Sequence, residues 1–204
     1  MEFQTLPAML AFIAVMVGTP GPNNLMLMAS GANVGFRRSL PHIAGILAGC
    51  QVVLLAIGLG LGPLLARFPS LMLGLRVAGA LFLVWLAWRL VRERPRHGEA
   101  GAAPTADRAR PMGFWQAALF QWINPKAWMM FLTAVASFTD PARFTPTLTA
   151  LAVAFLVVSA PLISAWSLFG VALRDWLYQG RRLARFNQVM AALLLATLYP
   201  TFMT

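Results

Sequence analysis

The sequence predicts an all-α integral membrane protein: six transmembrane helices in a 3+3 inverted repeat, helices 1 and 4 broken at mid-membrane, both termini outside. Three observations carry this. Of 204 residues, 59% are hydrophobic and only 11% charged, against about 25% charged in a soluble domain. Six apolar runs are each long enough for a hydrocarbon core of roughly 30 Å, which takes about 20 helical residues. Arginine, finally, is confined almost entirely to alternate loops.

The six runs span residues 6–29, 40–65, 71–91, 114–138, 147–173 and 183–202. Between the third and fourth lies the one hydrophilic stretch, RERPRHGEAGAAPTADRARP, rich in Gly, Pro and Ala and of linker composition. Residues 1–204 therefore read as one transmembrane domain, with a first three-helix repeat over 1–91, a cytoplasmic linker over 92–113 and a second repeat over 114–204. The N-terminus has Glu2 where a signal peptide needs a basic region, and Pro and Asn follow its apolar run. Residues 1–29 are thus expected to stay as a helix of the mature protein.

The net charge of +10 admits nucleic acid or acidic lipid as a partner, but its placement favours topology. Twelve arginines lie in one set of loops: Arg37 and Arg38; Arg89, Arg92, Arg94, Arg96, Arg108 and Arg110; Arg174, Arg181, Arg182 and Arg185. The opposite set holds two, Arg67 and Arg143, while Arg76 and Lys126 fall within spans. Basic residues accumulate on the cytoplasmic side, so the first set is inside and both termini outside. No nucleic-acid partner is expected.

Span 1 is interrupted by Thr19-Pro20-Gly21-Pro22-Asn23-Asn24, and span 4 by Gln121-Trp122-Ile123-Asn124-Pro125-Lys126. Proline inside a helix removes an amide donor and clashes with the preceding turn, at about 3 kcal/mol or more. Asn124-Pro125 has the form of a fresh helix start, asparagine as N-cap and proline at the first helical position, and Thr19-Pro20 is read the same way. Each break is first in its half. Three crossings per half require the second half to enter the membrane in the opposite sense, and matching breaks in inverted repeats point to a transporter's binding site. A single proline that merely kinks a helix is the commoner case, and it fits Pro161.

With the N-terminus outside, both half-helices that follow the breaks present their N-terminal ends to the midplane. Such ends carry free amides and roughly half a positive charge, which attract an anion. Lys126 adds a full charge about twelve residues into its span, some 18 Å along the helix, and a cation at that depth is a functional candidate. No Asp or Glu falls inside a span. The expected substrate-binding residues are Thr19, Pro20, Gly21, Pro22, Asn23, Asn24, Gln121, Asn124, Pro125 and Lys126. The expected ligand is a small zwitterion, its carboxylate at the helix ends and its ammonium on amide oxygens and unwound carbonyls. Cys50, His42 and scattered Met residues do not form a metal site, no cofactor is expected, and the single cysteine permits no intramolecular disulfide. Lacking intramembrane carboxylates, a His cluster or paired thiols, the chain is not expected to be an enzyme. Gly45 and Gly49, and Gly58, Gly60 and Gly62, are read as close-packing faces. Trp122 and Trp128 are read as packing.

TPGPNNLMLMASGANVGFRRSLPHIAGILAG at 19–49 and QWINPKAWMM at 121–130 resemble the LysE/RhtB family of bacterial amino-acid exporters, as do the length, span number and linker position of the whole chain. The resemblance implies efflux of amino acids or close derivatives across the bacterial inner membrane, driven by the proton motive force. The TPGPNN form looks closest to the branch that includes cysteine and O-acetylserine exporters. Several members carry an acid in span 5 near the position of Ser159, and that departure leaves Lys126 and His42 as candidate proton carriers, or a coupling different from the family's. Export of another small solute such as a metal cation, or a non-transporting assembly subunit, are the alternatives. Membrane lipid surrounds the chain in any of these readings, and a homo-oligomer is left open.

Overall fold

The computed structural model describes residues 5–92, 112–177, 179 and 182–199. Most of the expected linker, with Arg94, Arg96, Arg108 and Arg110, therefore lies outside the described residues, as do Glu2, Arg181 and the last residues of the expected sixth span. Among the described residues every regular element is helical.

The first apolar run forms α1 (Thr5–Gly18) and α2 (Pro22–Val34), whose axes differ by 56°. α2 continues past residue 29 to Val34, where Gly31 packs on the backbone of Ser167, and ends at Gly35 with φ 84°. Only glycine takes that conformation without strain, so a single residue turns the chain into α3 (Phe36–Ala56). The second run is not one straight rod. A π-helical segment, Ile57–Leu61, contains Gly60 at φ 113°, and α4 (Gly62–Arg67) follows.

The third run is α5 (Pro69–Arg92). The fourth starts and stops where its hydropathy predicts but divides at Asn124 into α6 (Phe114–Ile123) and α7 (Pro125–Phe138). After a 3-10 turn, Pro141–Arg143, α8 (Phe144–Ala172) runs through Pro161, and the short α9 (Arg174–Leu177) leads towards α10 (Arg182–Ala196).

Three helices, Phe36–Leu61, Ser70–Arg92 and Pro141–Ala172, are long and apolar enough to cross a membrane, and the bent pair α1–α2 makes a fourth. The physical reason for fewer than six is length. α6 and α7 have 10 and 14 residues, and α10 has 15 within the described part.

Large apolar side chains face outwards along these helices. Leu59, Leu81, Leu119 and Val157 are each more than 60% exposed, the pattern of a lipid-facing surface. Arginine side chains stack on tryptophan at helix ends, Arg92 on Trp88 at 4.1 Å and Arg182 on Trp176 at 4.8 Å, a geometry worth about 0.5–1 kcal/mol at exposed sites.

The helices meet through glycine. A Cβ at Gly31 would strike the Ser167 carbonyl and one at Gly170 the Met28 carbonyl, which fixes α2 against α8. A Cβ at Gly45 would strike the Phe114 carbonyl, and one at Gly49 would lie 2.5 Å from that of Ala118, which fixes α3 against α6. Backbones approach this closely only without side chains between them. The three glycines of the next cluster differ. Gly58 faces the Leu148 side chain at 2.6 Å, whereas Gly60 has nothing within 4 Å, so Gly60 serves the backbone conformation and the packing reading fails there.

Candidate functional site

The two breaks come together. Lys126, in the first turn of α7, extends its ammonium to the carbonyl end of α1, donating to Thr19 O and Thr19 Oγ1 at 3.0 Å each and to Pro20 O at 3.4 Å. A helix N-terminus disfavours a cation, yet this one sits on a helix C-terminus, where unsatisfied carbonyls carry the negative end of the dipole. Gly21 makes the crossing feasible: a Cβ there would lie 2.9 Å from Lys126 Cδ and 3.0 Å from Nζ.

The two helix starts are capped differently. At α7, Asn124 is the N-cap, its side chain accepting from Lys126 N at 3.2 Å, with Pro125 following. At α2 the N-cap is Gly21, in extended backbone and without a side-chain cap. Thr19 Oγ1 instead donates to Met16 O at 3.2 Å, which overturns the expected Thr19-Pro20 cap. The reason is the double proline. Pro20 and Pro22 hold the chain extended for three residues, and the helix starts beyond the reach of Thr19. Asn24 steadies the same break from within α2, donating to Val17 O at 2.7 Å and Thr19 O at 2.9 Å.

Gln121 is the hub between the breaks. It is fully buried and exchanges two hydrogen bonds with Asn23, Asn23 Nδ2 donating to Gln121 Oε1 at 2.9 Å and Gln121 Nε2 to Asn23 Oδ1 at 3.1 Å. Its Oε1 also accepts from Asn124 Nδ2 at 3.2 Å and Cys50 Sγ at 3.6 Å, and its Nε2 donates to Ala117 O. Such a network ties α2, α3, α6 and α7 at one point, and every member costs about 1–3 kcal/mol to orphan. Its role as drawn is that of a strut, with its oxygen already shared.

A cavity of about 50 Å³ adjoins the breaks, large enough for a few waters at roughly 10–15 Å³ each and too small for an amino acid. Its polar lining includes Asn23, Asn24, Asn124 and Lys126. Gln51, Cys50 and Ser159 also line it. Sequence reasoning missed their convergence, because it depends on α3 and α8 flanking the breaks and no local pattern records that. Trp128 is buried and donates through Nε1 to Trp122 O at 2.7 Å, the rings 6.1 Å apart, so this pair packs and braces the turn between α6 and α7. Trp166 does the same for the other break, donating to Gly18 O at 3.3 Å. Among the described residues no three His, Cys, Asp or Glu side chains group as metal ligands.

Apolar helices long enough to cross a membrane, with a polar cross-link between two helix breaks, are those of a multi-pass membrane protein. The chain belongs to the LysE type translocator family, whose sequence profile matches residues 14–199. It is 32% identical over 194 residues, 93% of this chain and 92% of the relative, to a cysteine/O-acetylserine efflux protein of Klebsiella pneumoniae. A protein of the same description from Escherichia coli K12 is 31% identical over 140 residues, 67% of this chain and 66% of that one. An uncharacterized membrane protein of Pseudomonas aeruginosa is 33% identical over 170 residues, 81% of this chain and 79% of the relative. No solved structure matches the chain.

Proposed function

We propose that this protein is a secondary active exporter of amino acids or close derivatives across the bacterial inner membrane, driven by the proton motive force. The observation that carries the reading is the Lys126 ammonium, held at 3.0 Å on Thr19 across the junction of two broken helices. In this reading the amide ends of α2 and α7 receive the substrate carboxylate, and Lys126 exchanges its carbonyl partners for that carboxylate as substrate enters. Thr19, Pro20, Gly21, Pro22, Asn23, Asn24, Asn124, Pro125 and Lys126 form the site wall, and Gln121 holds the two breaks in register. Relatives described as cysteine/O-acetylserine efflux proteins support a small zwitterionic substrate and the outward direction.

The reading also takes the chain as six spans in two inverted repeats, 1–91 and 114–204, joined by a cytoplasmic linker, with both termini outside. Helix packing supports the repeat. Exchanging the halves turns span 1 into span 4 and span 2 into span 5. The packing of α1 and α2 on α8 then maps onto that of α6 and α7 on α3, while α3 with α8 and α5 with α10 map onto themselves.

The test is efflux. Expression in a bacterium lacking amino-acid exporters lowers intracellular accumulation of the substrate within a panel of amino acids and derivatives, and a protonophore removes the effect. A panel in which no compound changes contradicts the proposal.

A further inference from the structure

A second cavity is lined by residues of α2, α3, α5, α6 and α10. Its volume is about 440 Å³, within the range of roughly 300–1,000 Å³ usual for small-molecule sites and far above the 50 Å³ beside the breaks. It begins under the second break at Ile123 and Phe120 and extends to Arg89 and Met112, which the arginine pattern places on the cytoplasmic side. One wall is apolar and aromatic, with Phe82, Trp85 and Leu86 of α5. The facing wall carries Ser30, Asn33 and His42.

That polar wall is unusual for a membrane interior. Asn23, Ser30 and Asn33 follow one another at seven and three residues, which places them along one side of α2 leading away from the break. His42 is 1% exposed, with its Nδ1 3.4 Å from Ser30 Oγ. Its Nε2 has no hydrogen-bond partner among the described residues, nor has the buried Nδ2 of Asn187, whose Oδ1 accepts from Asn33 at 3.3 Å. Buried polar atoms without partners are rare and mark places where water, a ligand or a second conformation completes the bonding. Of the two residues, His42 lines the cavity, whose other wall is apolar and whose mouth carries a guanidinium.

We propose that this cavity is the cytoplasmic loading site for neutral amino acids with an apolar side chain of leucine, methionine or phenylalanine type. Phe82 and Leu86 take the side chain, and Arg89 draws the carboxylate in. The inference rests on the exporter reading and adds to it a substrate class and a second station. A cationic side chain such as that of lysine finds no carboxylate among the lining residues, and burying it there without one is costly.

The test uses two single substitutions on that lining, Leu86→Cys and Met112→Cys, in the full chain, with wild type and its lone Cys50 as background. A charged, membrane-impermeant thiol reagent is applied to inside-out vesicles and to intact spheroplasts. Both positions are expected to react in inside-out vesicles only, and leucine or methionine at saturation should slow the reaction about tenfold while lysine leaves it unchanged. Reaction from the periplasmic face, or no protection by any apolar amino acid, overturns the proposal. The same vesicles report transport. If leucine protects while no amino acid in the panel is moved, the exporter reading fails and the loading site stands. If amino acids are moved without protection at either position, the loading site alone fails.

Discussion

The Lys126 ammonium donates to the Thr19 carbonyl at 3.0 Å across a sequence separation of 107 residues. One side chain thus satisfies the frayed carbonyl end of α1 while rooted in the amide end of α7. The bond makes the two breaks a single electrostatic unit, and it accounts for a cation at a helix N-terminus.

Gly21 is expected to matter for transport more than for folding. The three atoms nearest a Cβ at this position all belong to the flexible Lys126 side chain, at 2.9–3.5 Å. Gly21→Ala should therefore lower efflux at least about tenfold while the melting temperature in detergent changes little. Unchanged efflux, measured at equal membrane abundance, would remove Gly21 from the site.

Gly31 and Gly170 are expected to show the reverse pattern. Added methyl groups there run into the Ser167 and Met28 carbonyls, and backbone cannot yield as a side chain does. Gly31→Ala and Gly170→Ala should each destabilise by about 1–3 kcal/mol, read as a lowered melting temperature. Gly74→Ala, with nothing within 4 Å, is the matched control and should leave the melting temperature unchanged or slightly raised.

The Asn23–Gln121 pair should behave as a coupled unit. Gln121→Ala leaves the buried Asn124 and part-buried Asn23 amides without their acceptor, at about 1–3 kcal/mol. In a double-mutant cycle with Asn23→Ala, thermal unfolding should give a coupling of about 0.5–3 kcal/mol. Additive losses would mean that the reciprocal bonds carry no net stabilisation.

Much of this was legible in the sequence where the cause is local. Proline and asparagine placed both breaks, since the absent amide of Pro22 and Pro125 and the capping oxygen of Asn124 act within one turn. Span 4 begins at Phe114 and ends at Phe138 as its hydropathy requires. What escaped was long-range or depended on backbone handedness. The one-residue turn at Gly35 and the kink at Gly60 require positive φ, and a glycine in an apolar run does not announce which use it serves. The Gln121 hub joins residues 98 and 71 positions away, which no local pattern encodes. The Thr19 cap failed because two prolines in three residues delay the helix start to Pro22.

Orientation gives an independent check. The proposed topology has Arg37, Arg38, Arg174 and Arg182 inside and both termini outside, from the positive-inside distribution of the loops. Alkaline phosphatase fused after residue 204 should be active in the periplasm, and a fluorescent protein at the same junction dark. The opposite pair of signals would invert the topology and with it the side from which each break is reached.

The most direct measurement is transport by Lys126→Ala beside wild type, in vesicles matched for protein content, with a substrate identified from the efflux panel. Losing a charge-assisted bond to the carboxylate, about 1.5–3 kcal/mol, predicts a fall of about ten- to a hundredfold, with the protein still inserted and folded. Wild-type transport by Lys126→Ala would contradict the assignment of the joined breaks as the substrate site.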